Sequence, residues 1–447
     1  MKKNFFARAL PVFALLTFVA AAAHGQEAKL DNFAAQAVLV TEFEINGLKV
    51  IVKHREGSPT IAGGLFIRGG ARNINDKNAG IEALMLASAI DAGKNLPRQT
   101  VRRELSRMGS AFGSSVTNDF SVVSFGTTKQ NFDRAWEIYT EVLLNPAFAE
   151  DDIKRNRELI LTGLREAGTL PESALETLQD KAIYAGHPYA NEVNGTIASI
   201  ESLTAPEIGA YHKKLMETSR LLLVFVGDLD ASQLKAKIAA SFGKLPRGTY
   251  KDTPYPALDF SKGTLDTTQR ALPTNYVKGT FAAPSPGNPD YYAMRVAMSV
   301  LQTLVYEEVR GRLQLSYAPD ADMNNLAANT ANISVSTTDP NRAVAVMQDQ
   351  IKFLQRGLLP EEAIGEIAAF FLTRHYLGQE TSGAQVGELA RYELVGGGWR
   401  NSFEFLNGVR SVKPADIQAV SNKYMKNLRF TYIGNTADIN RSVYVPQ

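Results

Sequence analysis

Four stretches of this 447-residue chain recur in the same order at an almost constant offset. "SFGTTKQN" (124–131) lines up with "SVSTTDPN" (334–341), and "EDDI" (150–153) with "PEEA" (360–363), both at an offset of 210. "SLTAPEIGAY" (202–211) lines up with "SVKPADIQAV" (411–420) at 209, and "VFVGD" (224–228) with "TYIGN" (431–435) at 207. Solenoid repeats have periods of about 20–50 residues, so a spacing this long marks duplication of a whole domain. The chain is therefore expected to fold as two homologous halves, residues 33–245 and 265–447. A Pro-, Thr-, Lys- and Gly-rich linker over 246–264 would let them sit apart.

Each half reads as α+β. "FEINGLKVIVKH" (43–54) is two short strands around Asn46-Gly47, a hairpin signal. "TIAGGLFIRGG" and "FSVVSFGTT" are strands, and "RLLLVFVGD" is a buried strand. "QTVRRELSRMG" is an amphipathic helix stopped by Gly109. "FDRAWEIYTEVLLNP" and "EDDIKRNRELILTGLREAG" are also helices. The second half repeats this order with less of the first hairpin. The expected fold class is α+β: two α/β-sandwich halves, each a mostly antiparallel sheet with helices on one face.

Residues 1–25 have the pattern of a secretory signal peptide. Lys2, Lys3 and Arg8 precede an apolar run from Ala9 to Ala23, and "AAAHGQ" offers small residues for cleavage. That run is shorter than the ~20 residues of a spanning helix, and an uncleaved anchor is the alternative. Removing Lys2, Lys3 and Arg8 lowers the 48 Lys and Arg to 45, against 46 Asp and Glu. Such a balance gives no electrostatic case for nucleic acid, nor for a membrane surface once the signal is cleaved. With no cysteine there is no disulfide, thiol nucleophile or Cys-ligated metal. The expected location is the bacterial periplasm.

Chemistry is sparse. The histidines are His24, His54, His187, His212 and His375, and no two have the i, i+4 spacing that sets both imidazoles on one helix face for zinc. His187, in "GHPYA", reads as structural, and His54, after a strand, as solvated. There is no G-x-S-x-G elbow, and "GGG" (396–398) reads as a tight turn. Asp151-Asp152 and Glu361-Glu362 open helices, where they favour the dipole. One constellation remains, "EEVRGRLQLSY" (307–317). Arg310 sits near the end of a long helix that Gly311 can terminate, and Tyr317 lies seven residues on. From the residues alone two readings stay open. Arg310 and Tyr317 are a helix-end cation and a half-buried tyrosine, or they form a site.

Order, duplication and motifs together resemble the pitrilysin-type zinc peptidases, the family of insulin-degrading enzyme and mitochondrial processing peptidase. The resemblance spans roughly residues 40–440 and is carried by "FEINGLKVIV", "GIEALMLASAI", "RNRELILTGLRE", "GHPYANEVNGTIASI", "LLLVFVGDLD", "NPDYYAMRVAMSVL" and "EEVRGRLQLSY". It implies that a helix over 80–90 should carry H-x-x-E-H, two zinc ligands and a general base, with a third ligand downstream. Those positions fall at Ala83, Leu86 and Ala87, and the distal one at Gly163. Methyl, isobutyl and hydrogen side chains neither ligate zinc nor accept a proton. Glu82 is one position out of register and Glu166 one helical turn away.

The resemblance also implies that Arg310 and Tyr317 match an Arg/Tyr pair that binds substrate and stabilises the transition state, with "LSY" in place of the commoner "LAY" or "LGY". In bacterial heterodimeric relatives one subunit carries zinc and the other this pair. By that resemblance this chain is expected to hold no cofactor, and a homologous partner subunit to hold zinc. The chain would be inactive alone, and the pair would act on unfolded peptides in the partner's site. A non-enzymatic scaffold or peptide-binding protein derived from the same family is the rival, and a self-sufficient hydrolase with an unrecognised site is a third reading.

Overall fold

In the computed structural model, residues 35–445 are described, other than 358 and 361. The signal-like segment lies outside them. The first half runs β1 (Val40–Ile45), β2 (Leu48–His54), β3 (Thr60–Arg68), α1 (Ile81–Ala89), α2 (Arg98–Met108), β4 (Ala111–Val116), β5 (Phe120–Thr128), α3 (Phe132–Leu144), α4 (Glu150–Thr169), α5 (Pro171–Ile183), α6 (Ile197–Ser202), α7 (Ala205–Leu215), β6 (Leu221–Gly227) and α8 (Ala231–Ala240). The second runs β7 (Thr264–Gln269), β8 (Asn275–Ala282), α9 (Tyr291–Val305), β9 (Asp320–Met323), β10 (Thr330–Thr337), α10 (Pro340–Gln355), α11 (Glu362–Gly378), α12 (Ser382–Val395), α13 (Asn401–Arg410), α14 (Pro414–Tyr424), β11 (Arg429–Gly434) and α15 (Arg441–Tyr444).

The two sheets show the duplication directly. Their strand orders are β1-β2-β6-β3-β5-β4 and β7-β11-β8-β10-β9. Only β2–β6 and β7–β11 pair in parallel. Superposing the orders pairs β2 with β7, β6 with β11, β3 with β8, β5 with β10 and β4 with β9. Among the described residues β1 has no counterpart in the second half, which there lacks the first strand of the hairpin. That hairpin turns at Asn46 (φ 50°) and Gly47 (φ 85°), the left-handed pair a two-residue reversal requires. The turn entering α1 is copied bond for bond. Asn78 N–H donates to Asn75 O, Ile81 N–H to Asn78 O and Leu84 N–H to Gly80 O. Asn288 to Ser285, Tyr291 to Asn288 and Met294 to Asp290 repeat these at α9.

Within each half its own helices cover one face of the sheet. Leu84, Met85, Trp136, Tyr139, Ile208 and Tyr211 pack on Val50, Val52, Leu65, Leu223 and Phe225. The opposite face is covered by the other half. α12 lies across β3 and β6, and α5 lies across β8 and β11. Ile51, Phe66, Leu222, Val224 and Val226 of the first sheet thereby join one core with Val386, Leu389 and Ala390 of α12. At the reciprocal contact, Arg429 donates to the Ala182 carbonyl at 2.7 Å, and Lys278 pairs with Glu176 at 2.7 Å.

The halves are thus packed against each other rather than held apart by the connecting segment, which is itself strapped down. The Tyr255 hydroxyl donates to the Asn118 carbonyl (2.8 Å), the Arg72 guanidinium lies 4.0 Å from the Tyr255 ring centre, and Arg220 lies 4.0 Å from that of Tyr250. Among the described residues no helix is long and apolar enough to cross a membrane.

Candidate functional site

α1 is apolar on nearly all sides because it is buried on nearly all sides. Ile81, Leu84, Met85 and Leu86 enter the core, whereas Ala83 and Ala87 are half-buried and one helical turn apart. α4 lies along this helix. The Asn156 amide donates to Asp91 at 2.8 Å, with longer contacts to Ser88 and to the Ala87 carbonyl at 3.4 Å. Gly163, two turns further along α4, is exposed, with nothing within 4 Å of where a Cβ would sit. Glu82 is no stand-in for a catalytic base. It is buried, and its carboxylate accepts from the Tyr211 hydroxyl at 2.7 Å and from Asn73 at 3.3 Å. Burial pushes its pKa up, against the hydrogen bonds from Ser121, Tyr211 and Asn73.

Three of the four described histidines turn to main-chain carbonyls, and the fourth, His375, stacks on Phe405. His212 Nε2 lies 2.9 Å from Leu143 O, His187 Nε2 lies 3.2 Å from Pro256 O, and His54 Nδ1 lies 3.3 Å from Leu229 O. His54 is half-buried at that carbonyl rather than solvated. Among the described residues no three His, Asp or Glu side chains gather as ligands would. Ala83, Leu86, Ala87 and Gly163 supply no donor atom, so these positions do not fit a zinc ion.

Arg310 and Tyr317 are brought together. The α-helix does not stop at Gly311. It widens at Val305 into a π-helical stretch, Tyr306–Arg312, in which Leu313 N–H reaches back to Glu308 O at 2.9 Å. Such widened turns are rare and favour functional sites. The reversal itself falls on Gln314, in the left-handed region at φ 51°. The loop after it is pinned to β10. Ser316 Oγ donates to Ser336 O at 2.7 Å, and Thr337 Oγ1 to Leu315 O at 2.6 Å. These bonds hold the backbone leading into Tyr317, yet the residue is 79% exposed.

The Arg310 guanidinium sits 4.0 Å from the centre of the Tyr317 ring and 4.9 Å from that of Tyr306. Stacking of this kind orients a guanidinium while leaving its N–H donors at the rim. Among the described residues no carboxylate pairs with Arg310. The ion pair of this segment belongs to its neighbour, with Arg312 Nε 2.8 Å from Glu308. Tyr306, 43% exposed, is a member of the cluster that the sequence alone does not single out, although its i, i+4 spacing to Arg310 is legible there.

The chain thus consists of two homologous α/β-sandwich halves, with no metal-ligating side chain at Ala83, Leu86, Ala87 or Gly163 and an exposed Arg–Tyr stack in the second half. Similarity to known proteins names the scaffold. Residues 49–197 match Insulinase (Peptidase family M16), and residues 202–369 match the Peptidase M16 inactive domain. This chain belongs to peptidase family M16.

Among relatives, an uncharacterized zinc protease of Mycobacterium leprae is 22% identical over 90% of this chain and 93% of its own length. Mitochondrial-processing peptidase subunit beta of Saccharomyces cerevisiae is 20% identical over 90% of this chain and 92% of its own. Cytochrome b-c1 complex subunit 1 of Bos taurus is 24% identical over 57% of this chain, spanning 54% of that protein. In fold the chain is similar to a protease from Helicobacter pylori, with a TM-score of 0.79 at 17% identity, covering 88% of this chain and 99% of that one. A peptidase M16 inactive domain from Pseudomonas fluorescens gives 0.78 at 19% identity, covering 89% and 98%.

Proposed function

We propose that this chain is the zinc-free subunit of a periplasmic, two-subunit peptidase. In this reading it places Arg310 and Tyr317 in the site of a homologous partner that holds the zinc. The observation that carries the reading is the contrast within one chain. Ala83, Leu86 and Ala87, where the resemblance expects a metal and a base, offer only methyl and isobutyl groups, while a guanidinium with no carboxylate partner among the described residues stacks on an exposed tyrosine in the other half. A peptide bond under attack develops negative charge on its carbonyl oxygen. The Tyr317 hydroxyl donates a hydrogen bond there, and the Arg310 N–H groups hold the neighbouring peptide backbone or share the same charge. Two relatives are named as subunits, of the mitochondrial-processing peptidase and of the cytochrome b-c1 complex, which supports a subunit's role here.

Co-purification with an exported homologue that carries H-x-x-E-H, and then a peptide cleavage assay, tests the reading. Addition of this chain should stimulate cleavage of unfolded peptides. Tyr317→Phe and Arg310→Ala should each lower kcat by about 10²–10³ while the two subunits still associate. Stimulation that survives both substitutions would leave an assembly role, which the bovine cytochrome b-c1 match favours, and would overturn the catalytic one.

A further inference from the structure

The exposed face of α9 continues toward Arg310 as one stripe. Arg295, Ser299, Gln302, Thr303, Tyr306 and Arg310 are its exposed and half-exposed polar and aromatic positions, whereas Val296, Ala297, Val300, Leu301 and Val305 are buried behind them. A cleft in two lobes runs beside the α-helical part of that stripe, between α9 and α11. The lobe at the N-terminal end of α9 has a volume of about 360 Å³ and is lined by Tyr291, Arg295, Arg374, Glu388, Arg391 and Tyr392, among others. The next, about 570 Å³, tracks Arg295, Ser299, Gln302 and Thr303 to the β9 residues Asp320 and Asp322. Arg295, Phe371 and Arg374 border both.

The first lobe has donors in excess of acceptors. Of its three guanidinium groups, Arg391 is ion-paired with Glu388. Arg295 and Arg374 have no carboxylate partner among the described residues. Arg295 makes a single 3.3 Å bond from Nη1 to the Met323 carbonyl, and its buried Nε has no acceptor. The Tyr392 hydroxyl is buried, with the residue 1% exposed, and also has no partner among the described residues. The hydroxyl of Tyr291 is already taken by Asn325. Guanidinium groups donate and never accept, so the group that completes this lobe is an acceptor-only anion able to take two or more N–H bonds.

We propose that the Arg295–Arg374–Arg391 lobe receives the free C-terminal carboxylate of a peptide whose preceding residues lie along α9 toward Arg310 and Tyr317. A volume of about 360 Å³ admits one terminal residue with its carboxylate, and the second lobe admits the residues before it. Asp320 and Asp322 favour a Lys or Arg among those residues. From Arg295 to Arg310 the helix rises about 20 Å, which about six residues of extended chain cover. Carboxylate capture stands on the lobe itself. Only what happens at Arg310 rests on the proposed function.

The test is binding by the mature single chain, with no turnover required. Two fluorescein-labelled dodecapeptides, identical but for a free acid or an amide at the C-terminus, are titrated by fluorescence anisotropy. The acid should bind about tenfold tighter or better. Arg374→Gln, at an exposed position that does not endanger folding, and Arg295→Gln should each erase most of that ratio with an unchanged Tm. Equal affinity for acid and amide, no binding of either at millimolar concentration, or a ratio that survives both substitutions overturns the proposal. In the active complex, substrates lengthened at the N-terminus should be cut at a constant distance from the C-terminus. A drifting cut with an intact acid-to-amide ratio would fault the path to Arg310 and leave the carboxylate site standing.

Discussion

Ala83 and Ala87 stand one turn apart on the half-buried face of α1, and Gly163 stands exposed on the helix beside it with open space around its Cα. At these three positions the resemblance expects zinc ligands, and none of the three is fully buried. Leu86, 2% exposed, is left unchanged, because a carboxylate there would be buried without a partner. The triple substitution Ala83→His, Ala87→His, Gly163→Glu is therefore expected to fold and to recreate a ligand set without its base. Zinc binding only the folded state at about 100 Kd adds about 2.7 kcal/mol, which a melting curve reads as a rise of a few degrees. The unsubstituted chain should show no such rise. A variant whose Tm ignores zinc would mean that α1 and α4 do not hold these positions within ligating distance of one another.

At the scale of elements, both sheets use the same device. Gly63 of β3 faces Phe225 of β6, and Gly279 of β8 faces Phe430 of β11. A Cβ on Gly63 would lie 2.3 Å from the Phe225 ring, and one on Gly279 2.4 Å from the Phe430 ring. Each phenylalanine covers a glycine on the neighbouring strand, and neither ring has space to move in a core where both are at most 1% exposed. Gly63→Ala and Gly279→Ala are each expected to destabilise by about 1–3 kcal/mol. Pairing either with Phe→Leu at its partner should recover part of the loss, because the two positions share one volume. Urea titration of the single and double variants checks this, and strict additivity would refute it.

These elements also show what the chain's pattern discloses. The Asn46-Gly47 hairpin, the halt of α2 at Gly109 (φ 59°) and the glycine turn around Gly397 and Gly398 arise from local backbone chemistry, so they are legible in the sequence. The positions where the resemblance expects zinc ligands and a base are legible because a resemblance fixes register on a helix. The π-helical stretch is not, since a helix that widens by one residue per turn keeps the same composition, and Gly311 reads as a stop. Nor is the exchange of α5 and α12, because an amphipathic helix declares that one face is buried without saying against what.

At the scale of the whole molecule, that exchange ties the halves into one cooperative unit. Cut free, residues 35–245 would expose Ile51, Phe66, Leu222, Val224 and Val226 on the face that α12 covers. An apolar face of that kind drives aggregation. The isolated half is expected to be insoluble or to bind a hydrophobic dye, and the intact chain to unfold in a single transition. Two resolved calorimetric transitions would show that the halves fold on their own.

The same interface buries a charge. Lys53, on the face of β2 turned toward the second half, is 4% exposed. It donates to Gln36 at 3.0 Å, and its ammonium lies 5.3 Å from the centre of the Phe403 ring. Burial, reinforced by nearby Arg55, lowers its pKa from 10.5 to about 8. A lysine depressed in this way holds one proton fewer in the folded chain than in the unfolded chain between those two values. Stability should therefore rise with pH across that window, by at most about 1.4 kcal/mol per unit, and the penalty of the buried charge is constant below it. Lys53→Met removes the titrating group while keeping an unbranched side chain against Phe403. Its stability relative to the parent should be greatest at pH 7 and shrink from pH 8 to pH 10, the other titrating groups cancelling in the difference. Urea midpoints of the two proteins at each pH measure it. A difference that stays constant from pH 8 to pH 10 would mean that Lys53 keeps its proton under the second half, and that this interface admits water.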